Sequence, residues 1–223
     1  MPPRHILTID GPAASGKSST AQWVARTLGW RHVDSGSLYR AATFARLQEP
    51  GDPASWTDAS VLGIAAAVGL QTGEGTFVPT LRGAPLADEI RSSAVTAEVS
   101  RVARMSGVRQ WVNSIVQQAA EGQDVVVDGR DMGTVVFPDA ALKVWLVADP
   151  WERARRRLTQ RLERRPSDEE IAAETDDLVQ RDARDATQTV QARDAVLIDT
   201  TYLTQAEQVE RIAALARAVA QKR

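Results

Sequence analysis

Cysteine is absent from the 223-residue chain, which excludes disulfides, cysteine-ligated metal sites and thiolate chemistry. Histidine occurs only twice, at His5 and His32, and this wide separation argues against a histidine-rich metal site. No apolar run reaches the roughly 18 residues that a membrane span requires, and the first ten residues hold no apolar signal core. From these absences we expect a cytoplasmic protein that does not enter a membrane.

An excess of positive charge is also missing. The chain has 27 Lys+Arg against 29 Asp+Glu, a formal net charge of −2, whereas proteins that bind nucleic acid or membrane surfaces use positive charge to attract polyanions. The 43% hydrophobic and 25% charged fractions are typical of a soluble globular protein. We therefore expect small-molecule partners, with no nucleic acid and no membrane, and a monomer.

Short apolar runs alternate with longer helical patterns along the chain. The runs predict strands at residues 5–9, 30–33, 124–128, 142–147 and 196–199, and the helical patterns cover residues 18–28, 151–165 and 205–221. This alternation predicts an α/β fold, a mostly parallel sheet with helices on both sides. Glycines and prolines between residues 70 and 90 predict a small antiparallel hairpin inserted in that scheme, and residues 164–168 predict a mobile connection between two helices.

A phosphate-binding loop follows the first predicted strand. The segment GPAASGKS matches the pattern G-x-x-x-x-G-K-[ST], in which glycines let the backbone wrap a polyphosphate. Lys17 would neutralise the β- and γ-phosphates, and Ser18 would offer its hydroxyl to Mg²⁺. Lys17 is also the only lysine before position 143 in a chain that otherwise uses arginine, which indicates a need for a compact ammonium. The predicted ATP-binding residues are Gly11, Pro12, Ala13, Ala14, Ser15, Gly16, Lys17, Ser18 and Ser19.

Other sequence features restrict the class of P-loop protein. The guanine-reading sequence N-K-x-D of GTPases is absent, and the chain is short for a motor or AAA-type ATPase. A chain of this length with a P-loop at residue 11 is typical of a small kinase whose phosphate acceptor binds in a second pocket.

Two further segments are suited to hold that acceptor. In DSGSLYR, Arg40 is suited to a bidentate phosphate contact and Tyr39 to contact with a sugar or base, although Asp34 or Ser35 as a helix N-cap explains the same pattern. In DGRDMGT, Asp128 would lie near Mg²⁺ or its waters at a strand end, with Arg130 and Asp131 directed at a substrate. A plain turn explains the glycines there but not three charges in four residues.

A row of arginines forms one face of a predicted helix, with Arg153, Arg157 and Arg161 at intervals of four. In a kinase this row would close over the transferring phosphoryl group as a lid. A solvated helix balanced by Glu152 and Glu163 is the alternative. Arg181 and Asp185, four apart farther along, fit either a ligand site or an exposed ion pair.

Taken together these motifs resemble those of the bacterial cytidylate kinases, over nearly the whole chain. The motifs occur in the order IDGPAASGKSS, DSGSLYRA, the inserted hairpin, DGRDMGTVVFPDA, RDARD and AVLIDTT. The resemblance implies a P-loop NTPase-type parallel sheet with an inserted monophosphate-binding domain and a short helical lid. It also implies transfer of a phosphoryl group from ATP·Mg²⁺ to CMP or dCMP. The expected core covers about residues 1–34, 122–150 and 190–223, the insertion about 35–121 and the lid about 151–180.

The resemblance also assigns roles to residues. The acceptor site would comprise Ser35, Tyr39, Arg40 and Arg130 around the phosphate, Ser100, Arg109 and Asp131 around the cytosine, and Arg181 and Asp185 on the sugar side. The catalytic residues would be Lys17, Arg130, Arg153 and Arg157, with Mg²⁺ held by Ser18 and, through water, by Asp128. Asp131 would accept from the cytosine N4 amino group and Arg109 would donate to the acceptor edge of the base.

The chain departs from the family pattern at Gln188, where the family usually has an arginine. We hypothesise that Arg184 or Arg193 supplies the missing cation, or that affinity for the acceptor is lower. Two alternatives to a cytidylate kinase stay open. One is a small kinase for another acceptor, such as UMP or shikimate, and the other is a sensor module that binds ATP without transferring phosphate.

Overall fold

The computed structural model of the protein describes residues 5–221. Its strands are β1 (Ile6–Asp10), β2 (Arg31–Asp34), β3 (Val68–Thr72), β4 (Phe77–Leu81), β5 (Ala84–Pro85), β6 (Val125–Gly129), β7 (Leu142–Val147) and β8 (Val196–Asp199). Its α-helices are α1 (Lys17–Leu28), α2 (Ser35–Leu47), α3 (Asp58–Ala65), α4 (Ser93–Val102), α5 (Ser106–Ala120), α6 (Pro150–Leu162), α7 (Asp168–Asp185) and α8 (Gln205–Ala220).

Five parallel strands form the main sheet, in the order β2-β6-β1-β7-β8. Each strand predicted from an apolar run is found within one residue of its expected position, and the predicted parallel sheet flanked by helices is confirmed. Both faces of the sheet are covered, since Val125 and Val127 belong to one apolar core and Val126 to another. Burial on both faces explains why the run is continuously apolar rather than alternating.

The predicted hairpin is a three-stranded antiparallel sheet, β3-β4-β5. It begins at Val68, two residues before the predicted segment, because β3 carries a glycine and polar residues that weaken its strand pattern. Together with α2 to α5 it encloses the larger apolar core, which includes Leu38, Val112 and Val127. Helices α2 to α5 and strands β3 to β5 lie within the predicted insertion, whereas Val127 belongs to β6. The boundaries of the insertion stay a prediction.

The last part of the chain is mostly helical. α6 and α7 pack against each other, and residues 163–167 join them, as the turn-rich segment predicts. Among residues 5–221, no helix combines the length and apolar character needed to cross a membrane.

Candidate active site

A cleft of about 1460 Å³ opens at the carboxyl ends of the parallel strands, where α/β sheets bind ligands. Nearly all the predicted site residues line it. Those that do so are Ala13, Ala14, Gly16, Lys17, Ser18, Ser19, Ser35, Tyr39, Arg40, Ser100, Arg109, Asp128, Arg130, Asp131, Arg157, Arg181 and Asp185. The predicted residues that do not are Gly11, Pro12, Ser15 and Arg153.

The predicted phosphate-binding loop connects β1 to α1. Gly11 has a φ of 150°, and a Cβ there would lie 2.1 Å from the carbonyl oxygen of Leu146, so only glycine fits without displacing β7. Lys17 begins α1, and its ammonium donates to the Pro12 carbonyl oxygen at 2.6 Å. Removal of the ammonium from water, followed by repulsion from Arg130, lowers the pKa of Lys17 to about 7. Phosphate oxygens at this loop would favour the charged form.

The Asp128 carboxylate lies beside Ser18, and Asp34 is its register partner on the neighbouring strand β2. The Ser18 hydroxyl donates to Asp128 Oδ2 at 2.5 Å, while His32 Nε2 lies 2.7 Å from Asp128 Oδ1. Burial and the charge of Asp128 raise the pKa of Asp34, so a cation bound nearby would favour its ionised form. Burial lowers the pKa of His32, but its hydrogen bond with Asp128 and the two carboxylate charges outweigh that effect, and the net shift is upward.

The Ser18 and Asp128 oxygens are suited to bind an Mg²⁺ ion that the protein shares with a nucleotide. Within residues 5–221, no group of three or more His, Asp or Glu side chains is arranged to hold a metal ion unaided. Mg²⁺ is commonly bound by one or two carboxylates together with phosphate oxygens and water, and Ser18 and Asp128 supply oxygens of that kind.

Asp10, which the sequence analysis did not single out, holds the turn that follows β6. Its two carboxylate oxygens accept from the backbone N–H groups of Met132 and Gly133, at 2.9 and 2.8 Å. Burial raises the pKa of Asp10 to about 6 despite these bonds. The turn carries Arg130 and Asp131 into the cleft, so Asp10 fixes their position through the backbone.

The buried Asp131 forms an ion pair with the partly buried Arg109 on one side of the cleft. Arg109 also donates to the carbonyl oxygen of Ala103 at 3.1 Å and to Gln188 Oε1 at 3.4 Å. Burial raises the pKa of Asp131, and Arg109 opposes this shift only in part. Tyr39 lies close to the pair, and burial raises its pKa to about 12. Within the described residues its hydroxyl has no hydrogen-bond partner.

The cleft carries a strong positive charge although the whole chain does not. Nine arginines and Lys17 line it, against five carboxylates. Arg130 contacts Asp185 at 3.1 Å, but Arg40 donates only to neutral oxygens of Ile90 and Thr96, at 3.1 and 3.2 Å. Burial, followed by repulsion from Arg91, lowers the pKa of Arg40. Burial, followed by repulsion from Arg130, lowers the pKa of Arg181 to about 10. A bound anion would relieve this repulsion.

Neither Arg184 nor Arg193 occupies the position expected of a replacement cation. Both are exposed and neither lines the cleft, and Arg184 donates instead to the Gln180 carbonyl oxygen at 3.3 Å. Arg91 does line the cleft near Arg40. Arg91 was not predicted as a site residue because it ends a short 3-10 helix, Glu89–Arg91, with no motif around it.

The arginine row of α6 faces α7. Arg157 and Arg161 both contact the buried Glu174, at 3.2 and 3.1 Å. Arg153 is 4% exposed and lies beneath the phosphate-binding loop. It donates to the carbonyl oxygen of Ala13 at 2.8 Å and to Asp182 at 2.6 Å, and Asp182 in turn accepts from the Ala13 N–H at 3.2 Å. Arg153 therefore supports the loop from outside the cleft.

Comparison with known proteins identifies the family. A family model described as cytidylate kinase matches residues 7–218. The chain is 42% identical over 204 residues to the cytidylate kinase of Thermus thermophilus, a match that covers 90% of this chain and 93% of that protein. It is 41% identical over 215 residues to the cytidylate kinase of Bordetella bronchiseptica, covering 93% of this chain and 92% of the relative. The chain belongs to the cytidylate kinase family. The resemblance noted from its motifs is confirmed.

Solved structures that resemble this cytidylate kinase family member support its fold. A shikimate kinase from Bacteroides thetaiotaomicron superposes with a TM-score of 0.52 at 15% identity, covering 96% of this chain and 98% of that one. A gluconokinase from Sinorhizobium meliloti gives a TM-score of 0.50 at 14% identity, covering 99% and 97%. The predicted P-loop α/β fold is thus confirmed.

The loop before α8 also lines the cleft, and its Tyr202 lies just outside the motif AVLIDTT. Arg156 donates to the carbonyl oxygens of Thr200 and Thr201, at 2.5 and 2.8 Å, and so holds this loop against α6. Tyr202, at the mouth of the cleft, is 92% exposed. A flat aromatic ring without packing partners is suited to contact a nucleotide base.

Proposed function

We propose that this member of the cytidylate kinase family transfers the γ-phosphoryl group of ATP to CMP and dCMP. One observation carries the proposal. A single cleft joins a phosphate-binding loop to a cluster of arginines and to the Arg109–Asp131 ion pair. The loop suits the triphosphate donor, the arginines suit a phosphate acceptor, and the ion pair suits a base that offers both a donor and an acceptor edge.

The chemistry requires alignment and charge neutralisation rather than a strong base, because phosphoryl transfer passes through a loose transition state. Lys17 would bind the donor phosphates, and Arg130 and Arg157 would neutralise charge on the transferring group. Arg40 would hold the acceptor phosphate, with Ser35 and Tyr39 beside it. We assign Arg153 a positioning role, because it contacts the loop at Ala13 and not the cleft.

Mg²⁺ would be held by Ser18 and, directly or through water, by Asp128. When bound with ATP it supplies positive charge that offsets the charge of the β- and γ-phosphates. The protein's own contribution is to direct the Ser18 hydroxyl and the Asp128 carboxylate toward one point, as their 2.5 Å contact indicates.

Base recognition would depend on the ion pair. Asp131 can accept from the N4 amino group of cytosine, and Arg109 can donate to the acceptor edge of the base, with Ser100 nearby. Uracil has a carbonyl in place of that amine, so it would place two acceptors against each other. Arg181 and Asp185 would contact the sugar. We further propose that the enzyme acts as a cytoplasmic monomer in pyrimidine nucleotide metabolism, with no nucleic-acid or membrane partner.

A comparison of acceptors tests this function. ADP formation is measured with ATP and Mg²⁺ in the presence of CMP, dCMP, UMP, AMP or shikimate, each in turn. We expect rapid turnover with CMP and dCMP only, and none in Lys17→Ala. Preference for UMP or shikimate would assign a different acceptor. ATP binding without CMP-dependent ADP formation would indicate a sensor module.

A further inference from the structure

His32 is buried in β2 next to Asp128, the carboxylate that contacts Ser18, and it is 5% exposed. Successive strand residues alternate between faces, so His32 and Asp34 share one face of β2. Parallel pairing of β2 with β6 sets Asp34 opposite Asp128. His32 Nε2 lies 2.7 Å from Asp128 Oδ1, and because a carboxylate only accepts hydrogen bonds, the ring nitrogen is the donor.

This bond occupies only one oxygen of Asp128. The other oxygen, Oδ2, accepts from the Ser18 hydroxyl at 2.5 Å. The two contacts together fix the rotation of the carboxylate about its last bond. Without His32, Asp128 would be free to turn, and its charge would lose a partner in a site where water is scarce.

The imidazole ring is itself held from its other side. Its Nδ1 lies 3.4 Å from Thr76 Oγ1, and the His32 backbone N–H donates to the Gly75 carbonyl oxygen at 3.0 Å. Gly75 and Thr76 form the turn between β3 and β4. The antiparallel sheet therefore fixes the ring that in turn fixes the carboxylate.

We propose that His32 is a positioning residue for the cation that accompanies ATP, holding one oxygen of Asp128 so that the other stays directed at Ser18. The inference rests on the proposed function, because it takes Ser18 and Asp128 as the cation's protein ligands. His32 does not line the cleft and acts only through Asp128. Partners that orient a metal ligand in this way typically change metal affinity by about 10- to 100-fold.

Calorimetry of ATP binding tests the proposal without requiring turnover. The affinity of the whole protein for ATP is measured in EDTA and in Mg²⁺, and the ratio gives the gain that the cation supplies. In His32→Leu we expect unchanged affinity in EDTA and a gain smaller by about tenfold. His32→Gln should keep most of the gain, because the Gln Nε2 is as many bonds from Cα as the His Nε2.

His5, which precedes β1 at the opposite end of the parallel sheet, offers a matched control. Its Nδ1 lies 3.2 Å from Asp124, which directly precedes β6, and His5→Leu should leave the gain unchanged. A folded His32→Leu protein with the wild-type gain would overturn the proposal. If that variant does not fold, His32→Asn replaces it, since its amide is one bond too short to reach Asp128. Equal gains in His32→Asn and His32→Gln would then overturn the proposal.

Phosphate transfer from ATP to CMP by the wild-type protein is measured separately. A protein that transfers nothing to CMP but shows the His32-dependent gain would count against the proposed function and support the positioning role. Failure of the proposed function and failure of the positioning role of His32 therefore give different results.

Discussion

Asp131→Asn should weaken the preference for CMP over UMP. The carboxylate is 5% exposed and paired with Arg109, so water cannot replace a lost contact. An amide can turn its oxygen to the cytosine amine or its N–H to the uracil carbonyl. For CMP, a charge-assisted bond becomes a neutral one, a loss of about 1 to 1.5 kcal/mol, or about tenfold in kcat/KM. For UMP, the repulsion between a buried carboxylate and a carbonyl disappears, a gain of about 3 kcal/mol, or about 100-fold.

The CMP-to-UMP ratio of kcat/KM should therefore fall about 1000-fold, measured by ADP formation at saturating ATP. Asp139→Asn is the matched control, because Asp139 is an exposed aspartate in the same segment and should not change the ratio. Unchanged ATP affinity would show that Asp131→Asn leaves the rest of the cleft intact. A variant that binds ATP normally and keeps the wild-type ratio would refute the role of Asp131 in base recognition.

Three further predictions concern the backbone, a buried acid and the arginines. Gly11→Ala should lower the free energy of unfolding by about 3 kcal/mol, because the new Cβ would lie 2.1 Å from a β7 carbonyl oxygen. The control Gly63→Ala, in open space in α3, should raise the free energy of unfolding by about 0.5–1 kcal/mol. Urea unfolding measures both changes. Burial raises the pKa of Asp10 from 3.8 to about 6, so its stabilising contribution is complete below pH 3.8 and lost as pH rises through 6. Between pH 3.8 and 6, the free energy of unfolding of the wild-type protein should fall by about 3 kcal/mol relative to that of Asp10→Asn. A difference between the two proteins that does not change with pH would contradict this. Arg91→Ala should lower CMP affinity about tenfold in calorimetry, whereas an effect of that size in Arg184→Ala would favour the original hypothesis.

The sequence predicted most of the fold because its signals are local. A continuous apolar run such as residues 142–147 is sufficient to locate a buried parallel strand, and the phosphate-binding loop follows β1 directly. The roles of Asp10 and His32 were not predictable, since their partners lie about 120 and 96 residues away. These contacts form because the strand order of the sheet places β1 and β2 on either side of β6. Motif spacing carries no information about such contacts.

The arginine row of α6 shows what a helical sequence pattern can predict and what it cannot. The interval of four correctly places Arg153, Arg157 and Arg161 on one face, but both interpretations of that face assumed that its partner was solvent or phosphate. The partner is α7, whose Glu174 and Asp182 pair with the row. In the proposed reaction the transferring phosphoryl group would therefore compete with Glu174 for Arg157, whereas Arg153 contacts the loop. The row thus combines Arg153, which supports the phosphate-binding loop, with Arg157 and Arg161, which line the cleft where a ligand would bind.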